Sequence, residues 1–297
     1  MKSRLYSLLK FIIGWPLSVI AFFFIGKILL DQAPSILPNV QTIQPFLLGS
    51  GIFCLIIFYL LRSLIWHRII KAYGYKIPLK ETGYMWSISE LKRYIPGNVW
   101  SFLGRTILFE KRGVKKKDVG KGLLIEAELF VIGSLIVSLL SLPYFFADIS
   151  DMLFWLSWGA MGVLIILYIV NRRVTKYFSG KIKTFFEFLL PSFPARENLL
   201  LVFISACSLL FFGLGNYLVM SSAFGTDPLL VWELIGVFAL AFVAGYLSII
   251  TPAGFGVREG ITIYALSQIV TSGLAAFAAI FTRIMLIVAE LVFILFV

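Results

Sequence analysis

The residues in this sequence that could do chemistry are arginines and glutamates placed where a helix cannot continue. Thr251–Gly260 reads TPAGFGVREG, with apolar sequence before it (229–250) and after it (261–297). Pro252, Gly254 and Gly256 cannot sustain a helix, so the backbone must open there. Opened backbone beside hydrocarbon leaves N–H and C=O groups unpaired, which is tolerated only where protein or a wet cavity surrounds it. The same stretch carries Arg258 and Glu259, charges that hydrocarbon penalises. A broken helix bearing an ion pair at membrane depth is the usual construction of a translocation site. An ordinary loop at the membrane surface is the plainer alternative. A planar guanidinium matches two phosphate oxygens in a way an ammonium cannot, so Arg258 is the leading candidate for an anionic headgroup. Glu259 would hold a second cation or orient a partner arginine.

A second interruption lies at Glu81–Gly104, ETGYMWSISELKRYIPGNVWSFLG. Glu90, Lys92 and Arg93 would each cost about 2.5–3.5 kcal/mol at the centre of a spanning helix. Pro96, Gly97 and Asn98 supply the break that a hairpin needs, and Arg105 follows them. Basic segments flank this stretch on both sides, so the chain should enter and leave on one face of the membrane, as a re-entrant hairpin. An amphipathic helix lying on the surface is the alternative. Further charges stand in apolar sequence. Glu126 and Glu128 open a span expected at Gly122–Phe146, where Glu126 reads as solvated and Glu128 as a candidate ligand. Arg283 and Glu290 lie two turns apart on one face of the last span, where mutual pairing is as good a reading as ligand binding.

Other chemistries lack their residues. There is no GxSxG, HExxH or phosphate-loop lysine motif, and Gly254-Phe255-Gly256 lacks the strand–helix context of a dinucleotide loop. The single histidine, His67, reads as part of a basic loop, which excludes a histidine metal cluster. Cys54 and Cys207 fall in apolar runs and read as packed thiols rather than a disulfide. No catalytic set, metal or cofactor is expected. An acid–base pair of Glu259 with another glutamate is the one enzymatic option left.

The elements that must position these charges are membrane helices. Hydrophobic residues make up 60% of the 297 and charged residues 14%, with a mean hydropathy of +0.97. Soluble chains carry about 25% charged residues. The whole of 1–297 therefore reads as one all-α polytopic membrane domain. The net charge of +11 is not a nucleic-acid signature, because the Lys and Arg concentrate in four segments, 1–10, 62–80, 105–121 and 171–198. The connectors 31–44, 147–151 and 224–229 hold none. The positive-inside rule places the four basic segments in the cytoplasm, beside anionic headgroups. Spans are expected at about 8–30, uncleaved, and at 45–65, 122–146, 152–170, 199–223 and 274–297. Residues 176–190 read as an interfacial helix. Residues 229–271 read as a second re-entrant pair, in which 261–271 is only about 16 Å of helix against a ~30 Å core. Six spans and two hairpins put both termini in the cytoplasm.

A symmetry follows. Residues 1–147 and 148–297 each read span, span, hairpin, span, starting from opposite sides, and each tip runs from proline through small residues to arginine. That is an inverted repeat, which places a substrate site where the halves meet.

These motifs also resemble a known family. Pro252–Gly260 (PAGFGVREG), Lys92–Trp100 (KRYIPGNVW), Arg105 after it and Arg283 are similar to the flippase-like membrane domain of lysylphosphatidylglycerol synthetases, in its stand-alone form without the aminoacyl-transferase domain. The resemblance implies a prokaryotic inner-membrane protein that moves lipid headgroups, such as aminoacylated phosphatidylglycerol, between leaflets. Relatives are linked to polyprenyl-linked sugars. Where relatives often carry Glu-Arg early in the third span, this chain has Glu126-Ala127-Glu128.

The expected ligands are membrane lipids with anionic headgroups, met by Lys92, Arg93, Arg105, Arg258 and Arg283. Glu90, Glu128, Glu259 and Glu290 would neutralise these cations or take a cationic aminoacyl group. The alternatives are a membrane enzyme acting on a lipid carrier, or a partner subunit of a glycosyltransferase or aminoacyl-lipid synthetase. The topology is testable by cysteine labelling. Cysteines at Gln41, Asp151 and Thr226 should react from outside the cell, and cysteines at Tyr75, Lys116 and Lys181 should not. Outside labelling at Lys116 would mean that 81–104 crosses the membrane.

Overall fold

Proline starts helices in this chain because its missing N–H is not needed in a first turn. In a computed structural model, which describes residues 43–94, 99–145, 193–248 and 254–297 and the single positions 27, 30, 159 and 162, Pro45 opens α1 (Pro45–Ala72). Pro78 caps α2 (Leu79–Leu91), and a 3-10 turn over Lys92–Tyr94 leads toward α3 (Val99–Glu110). Then come α4 (Lys116–Phe145) and α5 (Ala195–Phe224), the latter capped by Pro194. Gly225, at φ 61°, ends α5 with its N–H on the Ser221 carbonyl, a left-handed cap. The Asp227 carboxylate accepts the Leu229 N–H (2.9 Å) and starts the turn into α6 (Val231–Leu247). The chain closes with α7 (Val257–Leu266) and α8 (Ser272–Phe296). Every regular element among the described residues is helical, and α1, Lys116–Leu139 of α4, α5, Pro228–Leu247 and α8 are long and apolar enough to cross a membrane.

Helices α1 and α5 form the spine, packed antiparallel. At one end the Gln44 N–H donates to the Ser222 carbonyl (2.9 Å), and at the other Arg68 Nε donates to Glu197 Oε1 (2.8 Å). Midway the backbones touch. A Cβ on Gly51 would lie 2.9 Å from the Gly215 carbonyl oxygen, and one on Gly215 would lie 2.8 Å from Leu55 Cγ. Lipid-embedded helices approach this closely only through small residues. Serines bind α4 to its neighbours, with Ser205 Oγ donating to the Leu129 carbonyl (2.6 Å) and Ser134 Oγ to that of Ala239 (3.2 Å).

Helices α2 and α3 fold back on each other, and their outer ends meet through the Arg112–Glu81 ion pair. Tyr75 Oη donates to Asp118 (2.7 Å) and accepts the Lys115 N–H (3.1 Å), which ties the start of α4 to the same, basic end. Helix α7 returns along α6. There Gly254, at φ 68°, lies against the last turn of α6. Any Cβ on it would fall 2.5 Å from the Gly245 carbonyl oxygen, so only glycine fits. Among the described residues the order helix, folded-back pair, helix occurs twice, and its first members α1 and α5 run antiparallel.

The structure moves several expected boundaries. The helix expected over 45–65 continues to Ala72, so Arg62, His67 and Arg68 are helical and do not belong to a loop. Its register keeps one face of every turn packed inside as far as Ile70, which outweighs the rising charge. Helix α4 begins at Lys116, six residues before the expected start, which makes Lys117 and Lys121 part of it. The expected spans at 8–30 and 152–170, the interfacial helix at 176–190, and residues Pro96, Gly97, Asn98 and Pro252 lie outside the described residues. The α1–α5 contact gives a test. Gly215→Leu should destabilise the protein by about 1–3 kcal/mol through overpacking. Gly49→Ala, which points into open space, should be neutral or mildly stabilising when both are followed by thermal unfolding in detergent.

Candidate functional site

Four phenylalanines fill the centre where α1, α4, α5 and α6 meet: Phe58, Phe130, Phe212 and Phe242. Their ring centroids are 4.5–6.4 Å apart. Two arginines cover this cluster. The Arg62 guanidinium lies 4.2 Å from the Phe130 centroid, and that of Arg258 lies 5.0 and 5.2 Å from those of Phe212 and Phe242. Aromatic faces attract a desolvated cation, but they do not neutralise it.

On the Arg62 side the charge is matched. Arg62 reaches Glu126 (3.2 Å) and Glu90 (3.7 Å). Arg105 pairs with both of these carboxylates, and its Nε donates to Ser89 Oγ (3.0 Å). Trp86 Nε1 donates to Glu126 Oε1 (3.0 Å). Arg93 bridges Glu90 (2.9 Å) and Glu290 (2.7 Å), and Tyr94 Oη (2.8 Å) and Tyr59 Oη (3.3 Å) also donate to Glu290. Three arginines and three glutamates from α1, the α2–α3 pair, α4 and α8 thus form one neutral, largely buried network. Ions taken out of water need such partners, because the medium no longer screens them.

On the Arg258 side the charge is not matched. Gly256 takes φ 85°, and its N–H donates to Glu259 Oε2 (2.8 Å), which pins the first turn of α7. The other Glu259 oxygen accepts from Arg283 Nη1 (3.0 Å). Arg258, only 5% exposed, has no carboxylate partner among the described residues. The two interruptions come together here: the ring centroids of Tyr94 and Phe255 are 6.5 Å apart, and the Arg283 guanidinium is 4.3 Å from the Phe255 centroid.

Arg258 opens onto a cavity of about 780 Å³ between α3–α4 and α6–α7. Its walls are mainly apolar, with Phe102, Leu123, Leu124, Leu247 and Leu286. Glu90, Arg93 and Arg283 also face it at the inner end, and Lys117 and Lys121 stand toward the basic end. Such a space can take a chain-bearing molecule with an anionic head.

Of the candidate residues, the structure brings together Glu90, Arg93, Arg105, Gly254, Gly256, Arg258, Glu259 and Arg283. Lys92 is half-buried, with its side chain along Gly104, and does not line the cavity. The two early acids of α4 exchange roles. Glu126, expected in solvent, sits at the heart of the network, whereas Glu128 lies on another face and lines no part of the cavity. The signal was present. Gly122, Glu126, Phe130 and Ser134 recur at four-residue spacing on one packed face, and Glu128 is two residues off it. Arg283 and Glu290 do not pair with each other: each turns to a different partner. Arg62, Tyr59 and Tyr94 were not anticipated. Arg62 shares the packed face of Leu55, Phe58 and Tyr59, which distinguishes it from a loop cation.

Removing one partner from a buried network leaves an uncompensated charge. Glu126→Ala should therefore cost about 3–5 kcal/mol of stability, whereas Arg68→Ala, at a partly exposed pair, should cost at most about 1 kcal/mol. Thermal unfolding of the detergent-solubilised variants measures the contrast.

Among curated proteins no match to the chain is found. A family model described as the lysylphosphatidylglycerol synthase TM region matches residues 7–293, nearly the whole chain. With five helices among the described residues long and apolar enough to cross a membrane, the chain is an integral membrane protein and belongs to the lysylphosphatidylglycerol synthase transmembrane-region family.

Proposed function

We propose that the protein is a lipid transporter of the flippase type. It moves a phospholipid with an anionic or aminoacylated headgroup, or a polyprenyl-phosphate-linked headgroup, between leaflets through the cavity between the two folded-back helix pairs. One observation carries the reading. Arg258 is buried, has no carboxylate partner among the described residues, and faces a cavity with apolar walls. An unmatched cation in such a place is costly unless a mobile anion completes it. A phosphate head would do so while its chains lie along the leucines of the cavity wall.

In this reading both folded-back pairs are re-entrant, and the basic end and both termini lie in the cytoplasm of a prokaryotic cell. The headgroup enters past Lys117 and Lys121. The chain runs no reaction of its own, and a membrane-associated synthetase or glycosyltransferase would supply or use the lipid it carries.

Arg258→Lys keeps the charge and loses the fork that grips two phosphate oxygens. Together with Glu259→Gln, it should abolish exposure of the lipid on the outer leaflet without loss of folded protein. Lys116→Ala, in an exposed pair with Glu110, should be nearly silent. A leaflet-specific headgroup assay, with size-exclusion chromatography as the folding control, reads the result. Normal transport by Arg258→Lys defeats the phosphate clamp. Chemical turnover of a lipid by the purified protein would replace transport with an enzyme acting on a lipid carrier.

A further inference from the structure

Among the described residues, the charges that face the cavity are not merely positive on balance; they include no acid free to receive a cation. Among the described residues Glu90 is the one carboxylate that lines the space. Its Oε1 accepts from Arg105 and its Oε2 from Arg93 (2.9 Å), with Arg62 at 3.7 Å. Glu259, behind the wall, is held by Arg283 (3.0 Å) and by the Gly256 N–H (2.8 Å). Glu126 is shared between Arg62 and Arg105, and Glu128 lies away from the cavity. The stretches 95–98 and 249–253 within the two interruptions contain no acidic residue in their sequence. Against this, Lys117, Lys121 and Arg258 line the cavity with no carboxylate partner among the described residues.

Resting on the transport reading above, we propose that the cavity selects a lipid headgroup ending in a phosphomonoester or diphosphate and discriminates against aminoacylated headgroups. A phosphomonoester carries a charge of about −1.5 to −2 near neutral pH, its second pKa being about 6. Lys117 and Lys121, one turn apart on α4, can meet its two charges together at the basic end, and Arg258 can meet it at the inner end. A lysyl ester brings ammonium groups into a space where the one lining carboxylate among the described residues, Glu90, is already held by arginines, so rejection comes from repulsion as well as from the lack of an available partner. The apolar wall explains why the ligand is a lipid rather than a free anion.

The test is competition. The purified protein is placed in nanodiscs holding equal amounts of phosphatidic acid, phosphatidylglycerol and lysylphosphatidylglycerol, and the retained lipids are counted by native mass spectrometry. Phosphatidic acid should be enriched over lysylphosphatidylglycerol by about tenfold or more, with phosphatidylglycerol between them. Arg258→Gln should lose most of that enrichment and Lys116→Ala should keep it. If Arg258→Gln fails to fold, Lys117→Ser/Lys121→Ser at the exposed rim carries the test and should weaken the enrichment. Equal or greater retention of lysylphosphatidylglycerol by the unaltered protein overturns the selectivity and leaves transport standing. Full enrichment in a folded Arg258→Gln, or in the rim variant, overturns the assignment to these residues. Displacement of phosphatidic acid by excess inorganic phosphate means the site takes the free anion, and the lipid proposal fails. No retention of any of the three lipids overturns selectivity and transport together.

Discussion

A charge buried in a membrane protein must be matched, and most of this structure follows from how that matching is done. Arg62, Arg93 and Arg105 face Glu90, Glu126 and Glu290, and no single helix could supply the set. The network therefore dictates that α1, the α2–α3 pair, α4 and α8 converge at one depth. The interior screens charge weakly, so each pair attracts strongly but also loses its hydration, and the arrangement holds only because every member has a partner. Where the matching stops among the described residues, at Arg258, the side chain faces a cavity instead of a carboxylate.

Packing sets where these charges stand. Arg62 lies over the Phe130 ring and Arg258 over those of Phe212 and Phe242, so one apolar wall of rings packs against both, while Glu90 and Arg93 of the network share the cavity with Arg258. The wall is held by close helix contacts: Gly51 against Gly215, and Gly213 against Ile235, whose Cα a Cβ on the glycine would approach to 2.7 Å. Side-chain bulk at these crossings would spread the helices and shift the arginines relative to their glutamates. Lipid-facing helices have no hydrophobic drive toward each other, so close fit of this kind sets their relative position.

For the lipid transport proposed above, the cavity would have two requirements that the chain meets in different ways. A head needs fixed donors, which the first turn of α7 provides through the pinned Gly256–Glu259 contact. Hydrocarbon chains need a featureless wall, which leucines on α4, α6 and α8 provide. Glycines at 254 and 256 let the backbone turn tightly enough to set Arg258 at the inner end of that wall.

Much of this was legible in the residues themselves. Apolar runs longer than a bilayer core can come only from spanning helices, and Pro and Gly inside such runs can only interrupt them, so the all-α membrane class and the location of the breaks follow from local chemistry. Arg93, Arg105, Arg258, Glu259 and Arg283 stood out because charge in apolar sequence demands a reason. What local chemistry could not decide was partnership. Whether Glu126 or Glu128 turns inward depends on the rotation of α4 against α1 and α6, a quantity set by side-chain fit across helices far apart in sequence. Arg62 looked like the first residue of a basic loop, since sequence composition changes there while the helix does not. Only the tertiary structure places Glu126, 64 residues away, opposite Arg62, and only it leaves Arg258 without an acid among the described residues, because pairing is a property of distance in space and low-dielectric surroundings.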